Sequence, residues 1–236
     1  MKLPDEITFE EAATIPLLAT TAALSLFRRQ HSPPPWPPRA ASMPLPLNIY
    51  GASSSLGTFA IKLVRASNIH LIIAIAGSSS SHLHSLLDPS SGDKLIDYRL
   101  GTEQMIKATK VVLGSLECHH ALDAISSNGT WIPISHITTK EQFMVVYTMV
   151  GTAHMGVYKS YMVKQAFYRE FVKGDPEWVL CSLSTYMSQM LADGRLTGRP
   201  FELIDGGLTG VGEGLKRLQG GQARGIRNVY KVGEVE

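Results

Sequence analysis

The sequence lacks the features that mark several large protein classes. Its 236 residues contain two cysteines, Cys118 and Cys181, too few for a disulfide framework or a zinc cluster with closely spaced ligands. Lysine and arginine number 22 against 20 aspartate and glutamate, with no dense basic run, which argues against nucleic-acid binding. The longest apolar stretch, residues 70–76, is far shorter than the roughly 20 residues that span a bilayer. We therefore expect neither nucleic acid nor a membrane as a partner.

What is present indicates a globular α/β protein. Hydrophobic residues make up 44% of the chain and charged residues 18%, as in an ordinary folded domain. The amino-terminal segment MKLPDEITFEEAAT is acidic where a secretory signal would be basic, so we expect a cytoplasmic location.

The first 46 residues read as a buried helix followed by a connector. Thr8 and Glu11 have the spacing of a capping box, which predicts a helix start. Pro16 predicts a break or kink near Ile15 in the apolar stretch that follows. Residues 31–46 are too rich in proline for a helix or a central strand. They predict a surface connector of polyproline character, with an SH3-type ligand as the alternative.

From residue 45 onward, short apolar runs alternate with amphipathic segments. Six runs are predicted as strands: Leu47–Tyr50, residues 70–76, Lys94–Asp97, and residues 121–125, 130–135 and 143–150. Helices are predicted over residues 56–67, in a short segment ending at Leu87, and over Thr102–Leu113. This alternation predicts a Rossmann-type, doubly wound, parallel six-stranded sheet with helices on both faces.

The alternation ends after Gly151. Residues 177–192 are predicted as a helix whose methionines fill a core, and Val211, Leu215 and Leu218 mark a second helix. Phe201–Ile204 and residues 228–232 are predicted as strands.

The clearest chemical signal is the glycine-rich turn GASSSLG between the first strand and its helix. Gly51 allows a tight turn, Gly57 allows close packing of helix on strand, and the first amides of the helix present positive partial charge to a pyrophosphate. Ser53, Ser54 and Ser55 add hydroxyl donors. The run departs from G-x-G-x-x-G, because Ser53 stands at the middle glycine and the loop is one residue longer.

The end of the second predicted strand favours NADPH over NADH. An NAD site carries Asp or Glu about 20 residues beyond the glycine turn, where it binds the ribose hydroxyls. Here no acid occurs between Ala66 and Leu87, and the corresponding segment is serine-rich. A serine-rich loop can donate to a 2′-phosphate without repelling it, although an ordinary polar turn is the alternative.

Two further groups predict no chemistry of their own. Cys118, His119 and His120 resemble a metal-binding tract, but no second cluster lies at a ligand spacing, so we expect no metal. Asp123 lies inside an apolar strand and is expected to be a hydrogen-bonded group at the strand end rather than an acid catalyst.

The chain resembles the medium-chain dehydrogenase/reductase superfamily, and within it the fungal trans-acting enoyl reductases and ToxD-like zinc-independent oxidoreductases. The segments that carry the resemblance are EEAATIPLLATTAAL, IYGASSSLGTFAIKLVRAS, GDKLIDYR, HHALDAIS and GGLTGVGEGLKRLQGGQARGIRNVY, which together run along nearly the whole chain.

The resemblance implies roles for individual residues. The pyrophosphate would be held by Ser53, Ser54, Ser55 and Leu56. The 2′-phosphate would be bound by Ser78, Ser79, Ser80 and Ser81, with Tyr98 beside them, and Val229 and Tyr230 would pack near the cofactor. Nicotinamide and substrate would be faced by Thr21 and by residues 149–154, which include Gly151 and Thr152. The family often carries basic residues in the 2′-phosphate loop, and this chain has none there. No general acid is assigned.

The resemblance also implies a domain organisation. Residues 1–44 would be an interdomain helix and connector, residues 45–155 the dinucleotide-binding domain, and residues 156–236 the carboxyl-terminal part of the catalytic domain. The family has a GroES-like barrel before the EEAAT helix, and we expect this chain to lack most of it.

The implied activity is NADPH-dependent reduction of an α,β-unsaturated thioester for a polyketide synthase or a synthase–peptide synthetase hybrid. Two alternatives remain open: a non-catalytic module that binds cofactor or a partner, and a non-redox isomerase or cyclase. The apolar surface left by a missing barrel predicts a homo-oligomer or a partner protein.

Overall fold

The structure, a computed structural model, describes residues 2–36, 44–77, 81–138, 145–148, 157–158, 161–165, 182–222 and 225–233. Within these residues the main sheet has seven strands in the order β3-β2-β1-β4-β5-β7-β6. They are β1 (Leu47–Tyr50), β2 (Ile72–Ala76), β3 (Lys94–Asp97), β4 (His120–Asp123), β5 (Val145–Thr148), β6 (Val157–Tyr158) and β7 (Tyr161–Gln165). All neighbours are parallel except β6 and β7. The predicted parallel α/β sheet is confirmed, with β6 as an added antiparallel edge.

Helices cover both faces of this sheet. On one face α3 (Ser55–Ala66) packs against α2 (Pro16–Ala23), and on the other lie α4 (Thr102–Leu113) and α5 (Trp131–Ile137). Strand β2 shows why both faces need cover: Ile72 and Ala74 enter the α2–α3 core, whereas Ile73 and Ile75 enter the α4 core. Successive side chains of a strand point to opposite faces, so a strand apolar throughout must be buried on both.

One predicted strand, residues 130–135, is wrong, because Thr130 stands at the N-cap of the helix α5 and residues 131–135 lie in it. The β-branched isoleucines of WIPISHI favour a strand, but intrinsic β propensity yields to tertiary context. Strands β4 and β5 pair in parallel, and a parallel pair needs a crossover connection, which α5 supplies. Ile134 and Ile137 are buried on one side of that helix, as its period of 3.6 residues requires. The sixth parallel strand is β7, which the sequence analysis missed.

The amino-terminal segment has the helix start and the break that its sequence predicts. Thr8 caps α1 (Phe9–Ala12) by accepting a hydrogen bond from the Glu11 amide at 3.2 Å. The Glu11 carboxylate accepts from the amide of Gly198 at 2.8 Å and so ties α1 to the carboxyl-terminal part of the chain. Pro16 occupies the first turn of α2, as the predicted break requires. The helix continues as a π-helical segment, Leu24–Arg29.

The proline-rich connector is anchored where the structure describes it. Trp36 stacks on Tyr186 with ring centroids 4.4 Å apart and meets Phe27 edge-on at 5.5 Å. Residues 37–43 lie outside the described residues. A tryptophan held between two rings fits a structural connector better than an exposed peptide ligand.

The carboxyl-terminal residues form a smaller two-stranded unit. A π-helical segment, Ser182–Met187, leads into α6 (Ser188–Ala192), and Met187 and Met190 join the α2–α3 core as predicted. The strands β8 (Phe201–Ile204) and β9 (Arg227–Tyr230) pair in parallel, and α7 (Val211–Gln219) lies between them in the chain. The proposed domain boundaries at residues 44 and 155 stay a prediction. No helix among the described residues is both long enough and apolar enough to traverse a lipid bilayer.

Candidate functional site

The carboxyl ends of β1, β2, β3 and β4 meet at one edge of the sheet, where the predicted cofactor residues lie. In the register of the sheet Tyr50 stands beside Ile75 and Asp123, and Ala76 stands beside Asp97. Ligands of open parallel sheets bind outside this edge, where the strand order changes direction. Here β1, the first strand along the chain, has β2 on one side and β4 on the other, so the strand order changes direction beside it.

The turn from β1 into α3 is built around two glycines. Gly51 has φ +73°, and a Cβ there would lie 2.5 Å from Cγ1 of Ile125. A Cβ on Gly57 would lie 2.4 Å from the carbonyl oxygen of Gly51 and 2.7 Å from Cα of Ala52. Only glycine fits either position without a shift of the turn, so both glycine roles predicted from the sequence agree with the geometry.

The serines of this turn divide their work. Ser54 caps α3, since its hydroxyl accepts a hydrogen bond from the Gly57 amide at 3.0 Å. Ser53 and Ser55 are half-buried beside it, and Leu56 is buried in the core. The first amides of a helix are unpaired within the helix and carry positive partial charge, which suits a pyrophosphate. Among these residues Ser53 and Ser55 remain as candidate hydroxyl donors.

The ends of β2 and β3 place two side chains beside Gly77. A Cβ on Gly77 would lie 3.6 Å from Cε1 of Tyr98 and 3.7 Å from Nε of Arg99. The Tyr98 ring is 47% exposed and lies 6.4 Å from the ring of Tyr50. Burial raises the pKa of the Tyr50 phenol, and the nearby Asp123 and Tyr98 raise it further. Arg99 was missed by the sequence analysis, although it directly follows Tyr98 in the chain.

The serine-rich loop can be located only at its end. Ser78, Ser79 and Ser80 lie outside the described residues. Ser81 opens a short 3-10 segment, Ser81–Leu83. The assignment of these four serines to a 2′-phosphate stays a prediction.

Asp123 shapes the loop that closes over Gly51. Its carboxylate accepts hydrogen bonds from the amides of Ile125 at 3.0 Å and Ser126 at 2.9 Å, and from the hydroxyl of Thr130. The pKa of Asp123 is raised above its ordinary value, because the effect of burial exceeds the opposite effect of these hydrogen bonds. The side chain is thus a structural acceptor at the strand end, as expected from the sequence.

Of the residues predicted to face the substrate, Thr21 lies among the described residues, whereas Gly151 and Thr152 do not. Thr21 is fully buried in α2, where its hydroxyl donates to the carbonyl oxygen of Leu17 at 2.6 Å. Gly151 and Thr152, with the rest of residues 149–154, lie outside the described residues. The roles given to these residues stay predictions.

Val229 and Tyr230 line a groove between β9 and α1. Its volume is about 490 Å³, and Phe9 and Ala13 form its other wall. Val229 is buried, and the Tyr230 hydroxyl packs against Gly214 of α7. Their place beside the cofactor stays a prediction.

The cysteine–histidine tract has the geometry of a structural element. Cys118 is buried, which raises the pKa of its thiol to about 12, and the sulfur lies 3.4 Å from the carbonyl oxygen of His120. Nε2 of His119 lies 3.0 Å from a carboxylate oxygen of Glu117. Within the part of the chain that the structure describes, no group of three or more His, Cys, Asp or Glu residues lies together as a metal site would need.

Similar proteins agree with this architecture. The chain is 33% identical to the trans-enoyl reductase fsr4 of Gibberella fujikuroi over 204 residues, which cover 86% of this chain and 60% of that relative. The chain thus spans about three fifths of that relative's length. No protein-family model matches the chain.

Two solved structures share the fold. The CurK enoyl reductase superposes with a TM-score of 0.69 at 18% identity, over 97% of this chain and 65% of that one. An alcohol dehydrogenase superfamily protein from Novosphingobium aromaticivorans superposes with a TM-score of 0.68 at 15% identity, over 93% and 62%. At these identities the likeness concerns the fold.

Proposed function

We propose that the chain is a member of the medium-chain dehydrogenase/reductase superfamily and acts as an NADPH-dependent, trans-acting enoyl reductase of an α,β-unsaturated polyketide thioester. One observation carries the proposal: the glycine turn after β1 is closed to any side chain at Gly51 and Gly57 and leads into the amino terminus of a 12-residue helix. This is the form of a dinucleotide cradle. The similarity to fsr4, a trans-enoyl reductase, supports the choice of reaction.

The residues present at the sheet edge fit a dinucleotide. The amides that open α3, with the hydroxyls of Ser53 and Ser55, would hold the pyrophosphate. Tyr98 would lie beside the adenosine ribose, because it adjoins Gly77 at the end of β2. Asp123 would keep the loop that carries Ile125 in place against the turn.

The reaction needs little covalent chemistry from the protein. When bound, NADPH supplies a hydride to the β-carbon of the unsaturated thioester, and a proton added to the α-carbon of the resulting enolate completes the reduction. The protein's contribution would be positioning and stabilisation of the enolate oxygen.

We propose that the thioester is carried by a partner polyketide synthase, alone or as a synthase–peptide synthetase hybrid, in the cytoplasm. Exposed apolar side chains of the carboxyl-terminal unit support a partner or a second copy of this chain. They lie on β8, on α7 and in the segment between them: Phe201, Leu203, Leu208, Leu215 and Leu218. Exposed apolar surface, where it is large, marks interaction sites in soluble proteins.

The proposal is tested by titrating the purified chain with NADPH and with NADH, followed by fluorescence, and then by incubation with crotonyl-pantetheine and NADPH. We expect tighter binding of NADPH and a saturated product that carries two more hydrogens, detected by mass spectrometry. A Gly57→Ala variant, in which the added Cβ would invade the turn, serves as the negative control.

Each other outcome points to a different function. Binding of NADPH without turnover would replace the reductase with a cofactor-binding or partner-docking module. A product formed without NADPH would indicate an isomerase or cyclase. Binding of neither nucleotide would refute the cofactor assignment.

A further inference from the structure

An Asp–Arg pair lies at the sheet edge beside the end of β2. The short 3-10 segment Tyr98–Leu100 follows β3, and within it Arg99 turns back onto Asp97. The Asp97 carboxylate accepts from the Arg99 amide at 2.9 Å, from its Nε at 3.0 Å and from its Nη2 at 2.8 Å. The guanidinium is thereby held in one orientation, although its side chain is 49% exposed.

The guanidinium lies beside Gly77, the residue that follows β2. A Cβ on Gly77 would be 3.7 Å from Nε and 3.9 Å from Cζ of Arg99. Gly77 directly follows β2 and lies 20 residues beyond Gly57. At this position an NAD site carries an acid for the ribose hydroxyls, and an arginine nearby accommodates the 2′-phosphate of NADP.

The local charge balance favours a phosphate once Arg99 is counted. The sequence has no acid between Ala66 and Leu87, and the acid that β3 contributes at this edge is Asp97, which stands beside Ala76 in the register. The Arg99 guanidinium neutralises that carboxylate by holding it between Nε and Nη2, an arrangement called the fork below. A guanidinium carries five N–H donors in one plane, so it can keep a carboxylate and also bind phosphate oxygens.

We propose that Arg99 selects NADPH by binding its 2′-phosphate, and that Asp97 positions Arg99 for this contact. The inference rests on the proposed cofactor of the enoyl reductase. It explains how a loop without basic residues can still serve NADPH, because the positive charge comes from the segment that follows β3 instead. It also gives Asp97 a latent role: without Arg99, the carboxylate would repel a 2′-phosphate and accept hydrogen bonds from the ribose hydroxyls of NADH.

The test compares Arg99→Gln with the wild type by calorimetric titration of NADPH, NADH, 2′,5′-ADP and 5′-AMP. The two ligands of each pair differ in the 2′-phosphate alone. We expect Arg99→Gln to lower the affinities for NADPH and 2′,5′-ADP by about 10- to 100-fold, the range for a lost hydrogen bond to a charged group. The affinities for NADH and 5′-AMP should stay equal or rise. In the double variant Arg99→Gln/Asp97→Asn, any gain for NADH should disappear.

A matched control exists elsewhere in the chain. Arg195 pairs with Asp193, two residues before it, through its Nε and Nη2, which donate to Oδ2 at 2.9 and 2.7 Å. Arg195→Gln should leave all four affinities unchanged. Arg99→Lys keeps the charge and loses the fork, so it should fall between wild type and Arg99→Gln and guards against a folding defect.

The inference fails if the wild type does not distinguish 2′,5′-ADP from 5′-AMP, or if Arg99→Gln weakens both ligands alike. Turnover of the thioester separates this failure from that of the proposed function. A chain that binds 2′,5′-ADP through Arg99 without reducing crotonyl-pantetheine would refute the reductase and uphold Arg99. If wild type and Arg99→Gln reduce the thioester equally well at limiting NADPH, the reductase is upheld and the role of Arg99 is refuted.

Discussion

Gly57 is a residue of α3 that packs closely on the turn at the end of β1. A methyl group there would lie 2.4 Å from the Gly51 carbonyl oxygen, which is backbone and cannot rotate aside. We predict that Gly57→Ala lowers the free energy of unfolding by about 1–3 kcal/mol, as overpacking does, and weakens NADPH at least tenfold. Urea denaturation and fluorescence titration measure the two effects.

Gly212 provides the control for this substitution. It lies on the exposed side of α7, where an added Cβ would meet nothing within 4 Å. Gly212→Ala should therefore stabilise the protein by about 0.5–1 kcal/mol through the helix preference of alanine and leave NADPH binding unchanged. Equal stability and binding of Gly57→Ala and wild type would rule out the tight turn.

The two glycines were predictable from the sequence, whereas Arg99 was not, and the reason is the distance over which each constraint acts. The turn is local: strand, glycines and helix follow one another within residues 47–66. Arg99 reaches Gly77 only because β3 pairs with β2 in a register that sets Ala76 beside Asp97. That register is fixed by the packing of both faces of the sheet, and 22 residues separate the two positions in the chain.

At the scale of elements, α5 shows the same limit in reverse. Its residues were assigned to a strand on local preference, and the parallel pairing of β4 with β5 overruled that preference. The strands β6 and β7 were missed because one has two residues and the other is the mixed run YMVKQ, which shows no clear period. The remaining strands of the main sheet were found because each is a short run with apolar residues that follows a polar turn or a helix.

The loop between β4 and α5 depends on a single carboxylate. Asp123→Ala would leave the amides of Ile125 and Ser126 and the Thr130 hydroxyl without their acceptor. We predict a loss of about 2–4 kcal/mol in the free energy of unfolding, since each buried unsatisfied donor costs about 1–3 kcal/mol and the losses are not additive. NADPH affinity should fall as well, because Ile125 packs against Gly51.

Asp123→Asn is the matched variant, because its amide can accept from both backbone amides and donate to Thr130. It should retain most of the stability. In wild type, burial raises the pKa of Asp123, so the carboxyl group stays protonated to a higher pH in the folded state than in the unfolded state. Wild type should therefore lose stability relative to Asp123→Asn as the pH rises from about 4 through the folded pKa. Denaturation at several pH values tests this sign, and a rise instead would contradict the burial argument.

At the scale of the whole molecule, the carboxyl-terminal unit is joined to the sheet by a polar junction, defined here as Lys62, Glu11 and Thr14 around residues 197–199. Lys62 of α3 donates to the carbonyl oxygen and hydroxyl of Thr197, at 3.0 and 2.8 Å. The Arg199 amide donates to the Thr14 hydroxyl at 3.0 Å. Three distant parts of the chain meet there, so the junction couples the fold of the small unit to that of the main sheet.

The junction carries more positive than negative charge, and its pH dependence follows from that. Burial, and next the charge of Arg199, lowers the pKa of Lys62 to about 8. Between this value and the ordinary lysine pKa of about 10.4 the unfolded chain binds more protons than the folded one, so stability rises with pH. We predict that wild type gains stability relative to Lys62→Met between pH 8 and pH 10.4, measured by urea denaturation of both proteins. Lys107→Met, which removes an exposed lysine of α4, should show no such divergence from wild type. Parallel curves for wild type and Lys62→Met would mean that water reaches the ammonium group, and that the junction is held by backbone contacts alone.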